Sequence, residues 1–200
     1  MFEIALELSR TDPVYEKEAL RYLQHFFWIA AAMDRVGIRK DEMWDEEDGF
    51  YYDVLRLSDD NAMRLKVRSM VGLLPLCAVS VIEADVLTRF PWLTEAARRF
   101  LRQHSELVLN IASPTTNGVA GRRLLSPLGE TKLRRVLARL LDESEFLAPH
   151  GIRALSRWHL EHPFVFNVHG EDYRVDYEPA ESTTGLFEAT RIGAVPCGSP

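Results

Sequence analysis

The chain has 200 residues, 46% of them hydrophobic and 10% aromatic, enough for a sizeable core in one domain or somewhat more. Its 24 Lys and Arg stand against 30 Asp and Glu, a net charge of -6, which argues against a nucleic-acid-binding module, and no apolar run reaches the ~20 residues of a membrane-spanning helix. Cys77 and Cys197 are the only cysteines and make no disulfide framework. Residues 1–10 carry Glu3 and Glu7 and lack the basic start of a secretory signal. The expectation is a cytoplasmic protein with no membrane segment, no nucleic-acid partner, no metal and no cofactor, in which Cys77, set in an apolar run, is a small core residue.

The pattern along the chain is mostly helical. Phe2 to Ser9 reads as a helix with no capping residue ahead of it, a hint that the natural chain starts earlier. Asp12 and Pro13 start the next helix, which carries Leu20, Leu23, Phe27, Ala30 and Ala31 at helical spacing and ends near Val36 and Gly37. Phe50 to Leu57 and Met63 to Val67 read as a hairpin turning at Asp59, Asp60 and Asn61. Ser69 can cap a helix from Met70 to Glu83, with Pro75 limiting how it begins. Pro91 opens a helix over Trp92 to His104, with Trp92, Ala96 and Phe100 on one face. Asn110 to Ser126 reads as a long loop. In the helix Glu130 to Leu141, Leu133, Val136, Leu137, Leu140 and Leu141 follow the 3.6-residue period. A shorter helix is expected over Ile152 to His159, then a second hairpin, Phe164 to Val168 with Glu171 to Tyr177. Residues 179–200 show no period. Helices in pairs with two inserted hairpins suit a helical toroid around a cleft better than a βαβ fold.

The run Met43 to Asp53 interleaves acids with aromatics. Sugar C–H faces stack on rings and carboxylates accept hydrogen bonds from hydroxyls, so the segment suits carbohydrate binding. A solvated acidic loop whose aromatics fill the core is the other reading. His159, His162 and His169 lack a carboxylate or Cys at convincing ligand spacing and read as surface or capping histidines. The basic runs Arg98, Arg99, Arg102 and Lys132, Arg134, Arg135, Arg139 read as solvated helix faces. Arg68, and Arg174 with Asp176, either form buried ion pairs or line a cleft. The sequence holds no phosphate-cradling glycine loop and no nucleophile motif.

Five blocks, residues 2–8, 27–34, 43–53, 66–75 and 173–177, resemble the mannosylglycerate-hydrolase-like glycoside hydrolase domain, related to glycoside hydrolase family 63, in order between residues 2 and 187. The resemblance implies a mainly α fold, part of an (α/α)6 toroid with two inserted β-hairpins, and inverting hydrolysis of an α-glycosidic bond in an α-linked oligosaccharide or glycoside. Inversion needs a carboxylic acid and a carboxylate roughly 6.5–9.5 Å apart. The family's acid block lies upstream of the segment matching Phe2, and its base block downstream of the segment matching Gly185, Leu186 and Phe187. The resemblance therefore assigns Trp44, Asp45, Glu46 and Arg68 to substrate binding and no residue to catalysis.

The expectation is accordingly a partial glycoside hydrolase domain over residues 1–187, inactive alone. Residues 188–200 are expected to be a disordered tail: a coding sequence for them can be written whose shifted frame restores the family's continuation. The alternative is a non-catalytic helical carbohydrate-binding or scaffold module. Apolar helix faces such as Leu133, Val136 and Leu140, left short of partners in a partial toroid, predict self-association.

Overall fold

A computed structural model describes residues 1–34, 42–56, 62–109, 111–168 and 170–179. The predicted helix end at Val36 and Gly37, the turn at 59–61, His169 and the tail 188–200 lie outside the described residues. The chain divides into two compact units, Met1–Lys40 with Pro75–Glu130, and Asp41–Leu74 with Thr131–Pro200.

The first unit is built on α1 (Phe2–Leu8), α2 (Tyr15–Asp34), α3 (Ala84–Arg89) and α4 (Pro91–Gln103). Asp12 Oδ1 accepts from the Val14 N–H at 3.0 Å, so the Asp-Pro pair forms a turn and α2 starts just after it. Ala19, Leu23, Phe27 and Ala30 recur every three or four residues and bury one stripe of α2. Against it packs α4, whose Phe100 ring lies 6.3 Å from that of Phe27. The buried face of α4 is Leu93 and Phe100, while Trp92 is 48% exposed. The apolar stripe is therefore turned by one residue from the predicted Trp92–Ala96–Phe100 face.

The second unit is mostly hairpins. β1 (Trp44–Asp45) pairs with β2 (Phe50–Tyr51), and β3 (Asp53–Arg56) with β4 (Ala62–Leu65), both antiparallel. Two further antiparallel pairs follow in this unit, β7 (Leu147–Ala148) with β8 (Gly151–Ile152) and β9 (Phe164–Val168) with β10 (Glu171–Val175). The helix α5 (Glu130–Leu140) presents the fully buried Val136. Phe50 and Phe146, both fully buried, stack with ring centroids 5.6 Å apart. At Gly72 a Cβ would collide with the Phe50 ring and the Tyr51 carbonyl, so only glycine lets residues 70–74 lie this close to β2.

The expectation of a mainly α toroid is overturned. The described residues hold ten short strands in five separate two-stranded antiparallel sheets, against five α-helices. The predicted helix Met70–Glu83 is a 3₁₀ segment, Met70–Cys77, followed by β5 (Ser80–Ile82). Pro75 withholds a backbone donor, and Val79, Val81 and Ile82 add β-branched side chains that prefer a strand. β5 finds its partner in β6 (Arg123–Leu125), inside the segment predicted to be loop. The predicted helix Ile152–His159 is divided between β8 and a 3₁₀ segment, Arg157–Leu160, capped by Ser156. Cys77 is exposed rather than buried. Of the apolar face predicted on α5, Val136 is covered, Leu133 and Leu140 are half-buried, and Leu141 is 60% exposed.

Candidate functional site

The acid-aromatic run folds as the β1–β2 hairpin. Its turn needs Gly49 at φ +63°, in the left-handed region, and a Cβ there would also collide with the Arg135 guanidinium. Cross-strand pairing sets Trp44 opposite Tyr51, with rings edge to face at 4.9 Å. All four aromatics, Trp44, Phe50, Tyr51 and Tyr52, are at most 4% exposed. The carboxylates of the run then meet two cationic surfaces.

The first surface is the strand leading out of β4. Arg64, Lys66 and Arg68 are two residues apart, the spacing that puts side chains on one face of extended chain. Arg64 donates to Asp45 Oδ2 at 2.7 Å, and Lys66 bridges Asp45 and Asp48 at 3.1 and 3.0 Å. Arg68, 7% exposed, donates from Nη2 to Asp48 Oδ1 at 2.9 Å and from Nη1 to Glu145 Oε1 at 2.8 Å. Its Nε donates to the Tyr52 hydroxyl at 3.3 Å, and its guanidinium lies 4.1 Å from the centroid of the Trp158 ring.

The second surface is α5, whose Lys132, Arg135 and Arg139 recur at i, i+3 and i+7. Arg135 donates to Glu46 Oε1 at 2.6 Å and to the Glu46 carbonyl. Arg139 donates to the Asp48 carbonyl and to Glu145. Lys132 Nζ and the Arg135 guanidinium lie 5.0 and 5.5 Å from the Trp44 ring centroid. This face of α5 is therefore a clamp on the hairpin and not the solvated face predicted.

The 3₁₀ segment Arg157–Leu160 joins the cluster through Glu145. Ser156 Oγ donates to Glu145 Oε2 at 2.5 Å and accepts from the Trp158 N–H. His159, predicted to be a surface or capping histidine, is fully buried, whereas His162 is exposed. Arg174 and Asp176 form an exposed, two-point ion pair at 2.7 and 2.8 Å.

The electrostatics have one direction. Burial alone would raise the Asp45 carboxyl, but the Asp48 N–H, Lys66 and Arg64 outweigh it and hold the group below its ordinary value of 3.8. Asp48 behaves likewise: burial opposes the bonds from Lys66, Arg68 and Tyr52 and loses. Glu46, mostly exposed, is lowered by the hydrogen bond from the Trp44 indole and by Arg135. Burial pushes the Tyr52 hydroxyl up to about 12, against the opposing pull of Arg68. These carboxylates are ionised acceptors at neutral pH.

Of the predicted site residues, Trp44 and Glu46 meet directly, the indole N–H donating to Glu46 Oε2 at 2.6 Å. Asp45 is buried on Arg64 and Lys66, and Arg68 joins the same cluster through Asp48. Sequence reasoning gave Arg135 and Arg139 to a solvated helix face and His159 to a surface or capping role, and it did not single out Asp48 or Glu145. The i, i+3, i+7 cations of α5 were the available signal. Glu145 has none, because its buried partner Arg68 lies 77 positions away in the chain. Among the described residues no cluster of three or more His, Cys, Asp or Glu could hold a metal ion, and no helix is long and apolar enough to cross a membrane.

No family model matches the chain, and no solved structure matches it. A protein of Saccharomyces cerevisiae described as the uncharacterized protein YMR196W is 40% identical over 199 residues, covering 94% of this chain and 18% of that protein. The chain thus spans less than a fifth of the length of the relative it matches.

Proposed function

We propose that the chain belongs to a glycoside-hydrolase-like protein and contributes one wall of a site for an α-linked oligosaccharide or glycoside, without supplying the catalytic carboxyl pair itself. The resemblance of the blocks from residue 2 to residue 187 supports the family. The non-catalytic role is supported by the resemblance, which puts the acid and base blocks outside the matched segments; that Asp45, Glu46 and Asp48 are all shifted toward the ionised form speaks against any of them as the general acid. A general acid in glycoside hydrolysis must keep its proton near neutral pH, which requires a shift the other way. Ionised carboxylates suit accepting sugar hydroxyls. Glu46 is the accessible one, with its side chain 80% exposed beside Arg135 and Lys132. The Trp44 ring is covered, so its part is to orient Glu46 rather than to stack on a sugar.

The test is a titration of the whole chain with a panel of α-linked disaccharides, following the Trp44 indole N–H by NMR. Saturable shifts with dissociation constants of ~1 mM, about -4 kcal/mol, are expected, and Glu46→Gln should weaken them. No response to any member of the panel overturns the binding reading. Release of free sugar by the chain alone overturns the non-catalytic one.

A non-catalytic scaffold is the second reading. It is favoured by Arg68, whose Nε, Nη1 and Nη2 each donate inside the chain. A silent titration is the result it requires. A cytoplasmic setting belongs to either reading and is supported by the free thiol of Cys77. Self-association through exposed helix faces does too, supported by Trp28 and Ile29 of α2, 49% and 64% exposed; sedimentation across a concentration series tests it.

A further inference from the structure

Among the described residues of the second unit His159 is the one fully buried histidine, and neither nitrogen of its ring is idle. The backbone N–H of Arg68 donates to Nε2 at 2.9 Å. The carbonyl of His162 lies 2.9 Å from Nδ1. A carbonyl can only accept, so Nδ1 carries the hydrogen and Nε2 is bare. The ring is therefore a neutral bridge of defined tautomer, and a second proton has one place to go, the lone pair already used by Arg68.

The same short segment grips Arg68 a second time. The Ser156 N–H donates to the Arg68 carbonyl at 2.8 Å. Both backbone polar groups of residue 68 are thus tied to the segment 156–159, 88 or more positions along the chain. The side chain of Arg68 is held in turn by Glu145, Asp48 and Tyr52, and packs on Trp158, whose ring also stacks on His162 at 4.2 Å. Whatever displaces the backbone of Arg68 also displaces the guanidinium that anchors the β1–β2 hairpin.

We propose that His159 is an acid-operated latch: protonation at Nε2 expels the Arg68 backbone N–H and loosens the Arg68–Asp48–Glu145 cluster that holds the β1–β2 hairpin in place. The bond lost is N–H···N, and two N–H groups would then face each other across the same gap. The charged groups around the ring take opposite sides. The Arg68 guanidinium and His162 oppose a new cation there, while Glu145 and, beyond β10, Asp176 favour it. Burial is the largest influence and keeps the imidazole below its ordinary 6.5, so the latch stays shut through neutral pH and opens on acidification. The inference rests on the geometry of His159 and Arg68 and holds whether or not a sugar binds.

The experiment is an NMR titration of the whole chain, labelled at the histidine imidazoles and the backbone amides, from about pH 8 to about pH 4.5. The expected result is that His159 keeps its Nδ1–H form through neutral pH and takes up a second proton only below its ordinary 6.5. The Arg68 amide should then shift with the same midpoint as His159. Titration of His159 at or above its ordinary 6.5 overturns the proposal, as does an Arg68 amide that ignores the protonation of His159. His159→Gln, which cannot take up the proton, should abolish the acid response of the Arg68 amide. Where that variant does not fold, His162→Gln decides: the response should survive it, and its disappearance would assign the effect to His162 and overturn the latch.

Discussion

Arg68 and Glu145 stand 77 positions apart in the chain, and the guanidinium Nη1 donates to the carboxylate Oε1 across 2.8 Å with both side chains less than a tenth exposed. Around this pair the second unit gathers Asp48, Arg139, Ser156 and Tyr52. Every partner is an ionised or strongly polar group, so taking away one member leaves the others buried without compensation.

Arg68→Ala is expected to destabilise the second unit by ~3–5 kcal/mol, the usual cost of an uncompensated buried charge. Arg68→Lys keeps the charge but loses the planar fork that reaches Asp48 and Glu145 together, and should cost about half as much. Urea denaturation followed by amide signals of the hairpin measures both. A loss under ~1 kcal/mol for the alanine variant would mean that the cluster contributes little to the fold.

The acid dependence follows from the lowered carboxyls. Asp45 and Asp48 ionise more readily in the fold than at their ordinary value of 3.8. The unfolded chain therefore takes up their protons first as pH falls. Their contribution is complete above about 3.8 and is lost as pH drops through the lowered folded values. His159 adds a separate loss at higher pH, beginning as pH falls below 6.5, because the unfolded ring protonates there while the buried one resists. Asp48→Asn should flatten the lower step and leave the upper one. Melting curves recorded across this range settle it, and a single step unaffected by Asp48→Asn would refute the assignment.

Gly72→Ala should be the most damaging replacement among the described glycines of the second unit. Its methyl would meet the Phe50 ring and the Tyr51 carbonyl, and the buried ring and the backbone have nowhere to go. A cost of ~2–3 kcal/mol is expected, at the upper end of overpacking. Gly49→Ala meets the far end of the Arg135 side chain, which can swing away, but it forces a side chain into φ +63°. About 1–2 kcal/mol is expected there. Thermal melts rank the two, and the reverse order would show that the 70–74 segment yields more easily than its packing implies.

Trp44→Phe keeps an aromatic ring opposite Tyr51 but deletes the indole N–H that reaches Glu46. The Glu46 carboxyl should move back up toward its ordinary value of 4.5, since that bond is the largest influence holding it down. A carbon-13 titration of the Glu46 side chain reads this directly, and an unchanged midpoint would assign the shift to Arg135 instead.

How much could be read from residues alone divides by the range of the interactions. The stripes of α2 and α5 and the β9–β10 hairpin were legible, because a 3.6- or 2-residue period is written into consecutive residues. Residues 70–83 misled, since an apolar run of that length carries no period that separates a helix from a 3₁₀ turn and a strand, and the partner that completes β5 lies more than forty positions away at β6. The candidate site divides in the same way. The acid-aromatic character of residues 43–53 and the alternation of cations at 64, 66 and 68 are local features, but the residues alone left the run as a sugar site or a solvated loop and left Arg68 to an ion pair or a cleft wall. Which carboxylate meets which cation was decided only in the tertiary structure. Asp48 rather than Asp45 binds Arg68, Glu145 closes the pair from across the chain, and His159 is drawn fully inside. The physical reason is burial. A charge or an imidazole taken out of water must find its partner wherever the folded backbone places one, and that place has no counterpart in sequence spacing.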